Sequence, residues 1–408
     1  EIDKNIAAFW KENKVFKQSM DAKEGNNTFV FYEGPPSANG MPGIHHVIGR
    51  TVKDIFCRYK TMQGFQVLRK GGWDTHGLPV ELKVEKELGI TKEDIGTKIS
   101  VEEYNQECRK TVQEFKSVWD DLTVKMGYWV DLDNPYVTFD NDYIESVWWA
   151  LSELHKKNLL YKGYTIQPFS PAAGTGLSTH ELNQPGAYQD VTDTSAVAQF
   201  KVIENDDAKE LFGAVTGDTH FIAWTTTPWT LPSNTALAVG AKIDYVLIKT
   251  FNPYTFKAVH VVLAKKLLSK WFQPENEQAD FDAYEPGQKA IPWELVKSFT
   301  GKDLEGVKYE QLLPYQQPED GDAFRVILGD FVSTEDGTGI VHIAPSFGAD
   351  DMRVAKNAGI GSLTLVDKQG KFIQGVGEFS GRYVKDYKEE QNYRSVDIDI
   401  SIKLKEQN

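Results

Sequence analysis

The spacing of apolar positions divides the chain into a helix-rich front and a strand-rich remainder. Ile2, Ile6, Phe9 and Trp10 recur at the 3.6-residue period and predict a first helix, which Gly25-Asn26-Asn27 breaks. Thr28 to Tyr32, β-branched and aromatic, predicts a strand; Gly34 to Gly40 forces a turn, and Val47 to Met62 resumes helical spacing. A second unit follows, with Phe65 to Leu68 as strand, Gly71-Gly72-Trp73-Asp74 as turn and a helix from Pro79 to Leu88. Strands alternating with helices predict an α/β fold with a doubly wound parallel sheet. From Val101 to Met126 the apolar residues step by three or four and predict one long amphipathic helix, with another over Tyr143 to Leu159.

Beyond Tyr164 the helical periods fade while Gly, Pro and Thr rise through Gln167 to Asp190. Short β-like runs then dominate: Ala196 to Val202, Thr219 to Trp224, Ala236 to Val239, Tyr245 to Thr250, Val259 to Leu263, Phe324 to Leu328 and Gly339 to Ala344. The expected organisation is a parallel-sheet domain over 1–165, a linker over 166–187, a β-rich domain over 188–387 and a return segment over 388–408. Within the last, Val396 to Leu404 is expected as a strand returning to the first domain. No internal repeat is visible.

Composition narrows the class. With 408 residues, 40% hydrophobic and 25% charged, the chain can bury more than one core and is neither disordered nor collagen-like. Apolar runs such as Ala258 to Ala264, broken by His260, fall far short of a membrane span, which needs about 20 residues. Acidic residues outnumber basic ones 59 to 45, a formal charge of -14, so any contact with nucleic acid must be local or completed elsewhere. Cys57 and Cys108 lie on helical patterns among apolar neighbours and cannot make a structural zinc site alone. They read as buried free thiols in a reducing, cytoplasmic setting. Glu1 opens directly into an amphipathic pattern, as in a trimmed chain.

Chemistry concentrates in a few places. Gly34 to His46 is a rigid Pro/Gly loop delivering His45 and His46 to a helix N-terminus, where backbone N–H groups attract phosphate. On spacing alone it is either a nucleotide site or an ordinary β–α turn with solvated histidines, since neither the dinucleotide nor the P-loop pattern is present. A metal shared by adjacent His45 and His46 is disfavoured, because the two point different ways from a helix. Read alone, His342 alternates with apolar residues as a core histidine does, and Asp350 and Asp351 look like an N-cap pair. The threonines at Thr225 to Thr227 read as strand-edge hydroxyls.

Three longer stretches change that picture. Gly72-Trp73-Asp74-Thr75-His76-Gly77-Leu78-Pro79-Val80-Glu81, Trp224 to Asn234, and Gly337 to Pro345 followed by Gly348 to Asp351 together resemble the class I aminoacyl-tRNA synthetases. Within that family they are similar to the isoleucyl branch, since valine and leucine enzymes carry other residues after the Asp and an Arg in the Thr-rich peptide. The resemblance implies a Rossmann-like catalytic domain, of which this chain holds the first half, with an inserted β-rich editing domain. It implies ATP-dependent attachment of isoleucine to tRNA(Ile) through an adenylate, and hydrolytic editing of valyl-tRNA(Ile). Gly34, Pro35, Gly43, His45 and His46 would bind ATP, supplied with Mg²⁺ as a substrate complex, and Pro35 and Asp74 would bind the amino acid. Thr225, Thr226, Thr227, Asn234, His342 and Asp351 would form the editing pocket, with no protein-bound metal and no membrane partner. The family's His-Ile-Gly-His signature is replaced by Gly43-Ile44-His45-His46, read as a relocated phosphate donor. The Lys-Met-Ser-Lys-Ser motif occurs nowhere, so the chain is expected to be an N-terminal piece; a free-standing deacylase and a non-catalytic binding module are the alternatives.

Overall fold

Three parallel strands, with helices between and around them, build the first unit of the computed structural model, which describes residues 2–213, 218–385 and 393–407. Contacts divide the chain into two compact units, Glu1–Gly163 and Tyr164–Asn408. The first unit runs α1 (Ile2–Glu12), α2 (Val15–Asp21), β1 (Thr28–Tyr32), α3 (Ile44–Met62), β2 (Gln66–Trp73), α4 (Leu78–Leu88), α5 (Val101–Thr111), α6 (Lys116–Lys125), β3 (Asp131–Val137) and α7 (Asn141–Lys156). Strand order is β1-β2-β3, and Thr28 to Tyr32 pairs in register with Gln66 to Lys70. The loops after β1 and β2 therefore leave the same end of a parallel sheet, where such folds bind ligands.

Two expectations need correction here, and one strand was not expected. Gly71 and Gly72 do not turn the chain but extend β2, because β3 passes too close for side chains: a Cβ on Gly71 would lie 2.6 Å from the Asp131 carbonyl. β3 itself escaped the apolar pattern, since Asp131-Leu132-Asp133-Asn134-Pro135 reads as a turn. The helix expected over Val101 to Met126 is two, broken at Val112 to Phe115, where the Phe115 N–H donates to the Ala38 carbonyl at 2.9 Å instead of continuing the helical ladder. The apolar step of three or four survives the break, so periodicity alone passes over it.

The second unit opens on a two-strand hairpin, β4 (Phe169–Ser170) and β5 (Thr175–Gly176), and a capped turn of helix, α8 (Thr179–Leu182), within the stretch expected as linker. It continues with β6 (Ala196–Lys201), α9 (Asp206–Phe212), β7 (Asp218–Thr225), β8 (Ala236–Val239), β9 (Asp244–Phe251), β10 (Ala258–Ala264), α10 (Leu268–Trp271), β11 (Glu294–Thr300), β12 (Arg325–Leu328), β13 (Ile340–Ile343), α11 (Ala349–Ala358) and α12 (Val396–Gln407). A five-stranded sheet, β11-β9-β10-β7-β6, and a three-stranded one, β12-β8-β13, share one core that includes Phe200, Phe221, Leu237, Leu247, Tyr309 and Val326. Each such side chain taken from water contributes roughly 1.5–3 kcal/mol.

Val396 to Leu404 is a helix, not the expected strand. Its Val-Asp-Ile-Asp-Ile alternation has the period of a strand, yet Val396, Ile400 and Leu404, four apart, are the residues buried in the core of the second unit. The domain boundary expected at 387/388 lies outside the described residues. Among the described residues no helix is long and apolar enough to cross a membrane.

Candidate functional site

In the first unit the loop from Gly34 to Gly43 is tied down along its length. The Asp74 N–H donates to the Pro36 carbonyl at 3.1 Å, Phe115 N–H reaches Ala38, Lys83 Nζ reaches the Asn39 carbonyl at 3.1 Å and Trp119 Nε1–H donates to the Gly40 carbonyl at 2.9 Å. Ala38, Trp73 and Trp119 form the small core beneath it. Gly34 is exposed and Pro35 half-buried, with Lys53 Nζ 3.5 Å from where a Cβ on Gly34 would stand. Lys53 pairs with the buried Glu33 at 2.6 Å.

Gly43 caps α3 in extended geometry, and its N–H donates to His46 Nδ1 at 2.9 Å. The His45 ring lies across Gly43, where a Cβ would come within 2.8 Å of His45 Cε1. The glycine thus makes the space that the His45 ring fills. The two imidazoles are 3.8 Å apart, and His46 meets Trp119 edge-on at 4.7 Å. Burial, then the neighbouring His45 and Arg50, push the His46 pKa down, so the ring is neutral at pH 7 with its proton on Nε2. Asp74, at the exit of β2, accepts the His76 N–H on Oδ1 at 3.2 Å, while Thr138, after β3, gathers the Thr75 hydroxyl at 2.8 Å and His76 Nδ1 at 2.9 Å.

In the second unit β7 ends at Thr225 and the chain enters a Pro-started 3₁₀ turn, Pro228–Ser233, before β8. That tight turn stacks hydroxyls: Thr225 Oγ1 to Thr227 Oγ1 is 3.3 Å, Thr227 Oγ1 to Thr230 Oγ1 3.5 Å, and Thr230 Oγ1 to His342 Nε2 3.1 Å. Thr225, Thr230 and His342 are buried, Thr227 half-buried and Thr226 exposed. β13 brings His342 there by pairing antiparallel with β8, opposite Leu237. Buried Asn234 joins the two, donating to the Ala236 carbonyl at 2.8 Å and the Ile343 carbonyl at 3.4 Å, and it accepts the Tyr309 hydroxyl at 2.7 Å. Asp351, in the first turn of α11, accepts the N–H of Ala344 at 2.9 Å, two residues beyond His342. Burial raises the Asp351 pKa against that backbone bond, with Asp350 adding to the rise. Asp350 itself faces outward to Arg353 at 3.0 Å.

The structure therefore joins Thr225, Thr227 and His342 in one hydrogen-bonded chain, with Asn234 and Asp351 anchored to the flanking backbone. It adds two residues not singled out from the sequence. Thr230 links turn to strand, and buried Asp397 of α12 accepts the Trp229 N–H at 2.7 Å while pairing with Lys385 at 2.6 Å. Among the described residues no cluster of three His, Cys, Asp or Glu side chains is placed to hold a metal ion. Cys57 is buried and Cys108 half-buried, both as free thiols.

A family model for class I tRNA synthetases (I, L, M and V) matches residues 5–311. The isoleucine–tRNA ligase of Cytophaga hutchinsonii is 64% identical across all of this chain and 38% of its own length. Those of Porphyromonas gingivalis and Clostridium tetani are 60% and 45% identical over 94% of this chain, covering 33% and 34% of theirs. The chain thus spans about a third of the length of the curated relatives it matches. A solved leucyl-tRNA synthetase editing domain from P. knowlesi overlaps 40% of this chain and 62% of its own at 14% identity and a TM-score of 0.31, too slight a likeness to carry an argument.

Proposed function

The chain belongs to the class I tRNA synthetases of the isoleucine, leucine, methionine and valine group, and from that premise we propose that it supplies two sites to an isoleucine–tRNA ligase of the cytoplasm. The first is part of the activation site. There the isoleucine carboxylate attacks the ATP α-phosphate and pyrophosphate leaves, a reaction that needs placement and charge balance rather than a protein nucleophile. Gly34, Pro35 and Gly43 keep the loop free of bulk beside the nucleotide. His46, neutral and held through Nδ1 by the Gly43 N–H, offers Nε2–H to a phosphate oxygen, and His45 offers a second donor from the space Gly43 leaves. Asp74 keeps one carboxylate oxygen for the amino-acid ammonium. Mg²⁺ enters with ATP as substrate.

The second site hydrolyses the wrong product. One methylene in an apolar pocket is worth about 1–3 kcal/mol, a limit long known from the isoleucine enzymes rather than one inferred from this chain, so valine escapes a single selection step. In the editing pocket Asp351 holds the ammonium of the valyl ester, and Thr225, Thr226 and Thr227 orient ester and water. His342 walls the side-chain space, and Asn234 fixes the end of the turn. Water adds to the ester carbonyl, and the ribose oxygen leaves with a proton.

The observation that carries this reading is the hydrogen-bonded chain from Thr225 to His342, which joins two sequence segments more than a hundred residues apart at one place. The test is release of labelled amino acid from valyl-tRNA(Ile) and isoleucyl-tRNA(Ile). Preferential loss of valine is expected, and equal stability of both esters would refute it.

A further inference from the structure

Arg50 follows His46 by one turn on the same face of α3, and it is a buried cation, 5% exposed. Its Nη1–H group donates to Thr123 Oγ1, whose own proton goes to the Trp119 carbonyl at 2.7 Å. The guanidinium carbon stands 5.0 Å from the centre of the Trp119 ring and 5.7 Å from that of Tyr128. What it lacks is a counter-charge. Among the described residues Arg50 makes no ion pair: the carboxylates whose charge reaches it, Glu33 and Asp120, are held by Lys53 and Lys116, each at 2.6 Å. Lys83, which reaches the loop at Asn39, is likewise balanced by Glu114. Burial disfavours the guanidinium charge, yet arginine stays protonated in proteins. A buried cation without a partner is costly, and a neutral residue of the same length would fill the place at less cost.

That charge lies beside the groups read above as phosphate donors. The Trp119 indole meets both Arg50 and His46, the latter at 4.7 Å, and donates to the Gly40 carbonyl. Side chains on a helix lean towards its N-terminus, here towards Gly43 and the loop. Behind burial and His45, the Arg50 charge also helps to keep His46 neutral, so its field is felt at that ring. His46 then offers phosphate a donor but no charge. We propose that Arg50 is retained to balance the phosphate charge of ATP, as a positioning residue that acts through the Trp119-held His46 and through its field, without touching the nucleotide. This rests on the activation-site reading above. In it, the negative charge that enters with ATP is the counter-charge that no described side chain supplies.

Arg50→Met and Arg50→Lys separate this role from a structural one. Met keeps the length and packs on both rings, and in residues 1–408 its urea midpoint should equal or exceed that of wild type, since no ion pair is broken. A clearly lower midpoint would overturn the proposal by showing that the cation staples α3 to α6. In the full-length ligase, isoleucine-dependent exchange of labelled pyrophosphate into ATP should lose about tenfold in kcat/KM for ATP in Arg50→Met, less than the roughly 10²–10³ typical of losing a donor in direct contact. The KM for isoleucine should stay within about twofold of wild type, because the ammonium and side-chain contacts lie elsewhere. Arg50→Lys should recover part of the loss, since the charge remains. ATP kinetics equal to wild type in Arg50→Met would refute the proposal, and so would equal impairment of the Met and Lys variants. His46→Ala tests the underlying reading separately. Exchange as fast as wild type in that variant would show that His46 is no phosphate donor, while Arg50→Met against wild type still decides whether the buried charge serves ATP.

Discussion

His342, His220 and His260 are buried imidazoles whose pKa values are all pushed down, chiefly by burial, and each has an Nδ1 without a partner among the described residues. In the unfolded chain they take protons near the ordinary value of 6.5, whereas folded His342 waits until about 4. The unfolded state therefore binds more protons across this window, and stability, full above pH 6.5, is lost as the pH falls towards 4. His342 alone accounts for a loss on the order of 3 kcal/mol across that interval. Urea midpoints measured at pH 7 and pH 4.5 should fall accordingly, and less steeply in His342→Gln; identical slopes would contradict the linkage. Sequence showed His342 as a strand residue with two readings, core or pocket, and burial alone does not choose between them. Thr230 lay in plain view within the Trp224 to Asn234 stretch, three residues after Thr227. Only the 3₁₀ geometry of a Pro-flanked turn, which brings residues three apart over one another, gives that spacing a meaning.

At the scale of elements, α12 is the piece whose role could not be read in advance. Its alternating isoleucines and aspartates mimic a strand, and the choice of helix rests on burial of Val396, Ile400 and Leu404 and of the Asp397 carboxylate. That carboxylate reaches a residue 168 positions earlier in the chain, an interaction without local signature. It fixes the backbone of the Thr-rich turn from behind, at Trp229, whose ring packs edge-on against Phe347 at 5.0 Å. Asp397→Ala strands the Trp229 N–H and one side of Lys385, and should cost about 1–3 kcal/mol of stability. It should also slow valyl-ester hydrolysis, with Asp397→Asn recovering part because its amide oxygen can still accept the N–H. Denaturant unfolding and the deacylation rate check this together; a stable, fully active Asp397→Ala would show that α12 does not brace the turn. By contrast β1, its loop and α3 were legible, because a β-branched and aromatic run, a Pro/Gly break and a 3.6-residue period follow one another without long-range help. The break between α5 and α6 was not, since it is made by the Ala38 carbonyl, more than seventy residues away.

For the whole molecule, the two proposed sites differ in completeness. Both halves of the proposed editing pocket, Thr225 to Asn234 and His342 to Asp351, lie in the described second unit. In the proposed activation site His45 and His46 would be the phosphate donors, but residues 1–408 contain no Lys-Met-Ser-Lys-Ser loop to balance pyrophosphate charge. Purified 1–408 should therefore give no isoleucine-dependent exchange of labelled pyrophosphate into ATP, and robust exchange would refute that division. A net charge of -14 also opposes tRNA binding, so deacylation by this chain is best followed with tRNA in excess. Asp351 is the most informative position, since its carboxylate is anchored by Ala344 yet keeps an oxygen for a cation. The decisive measurement is release of labelled valine from valyl-tRNA(Ile) by wild type and Asp351→Ala, with circular dichroism confirming that both are folded. The account predicts steady hydrolysis by wild type and none above background by the variant; equal rates in the two would contradict it.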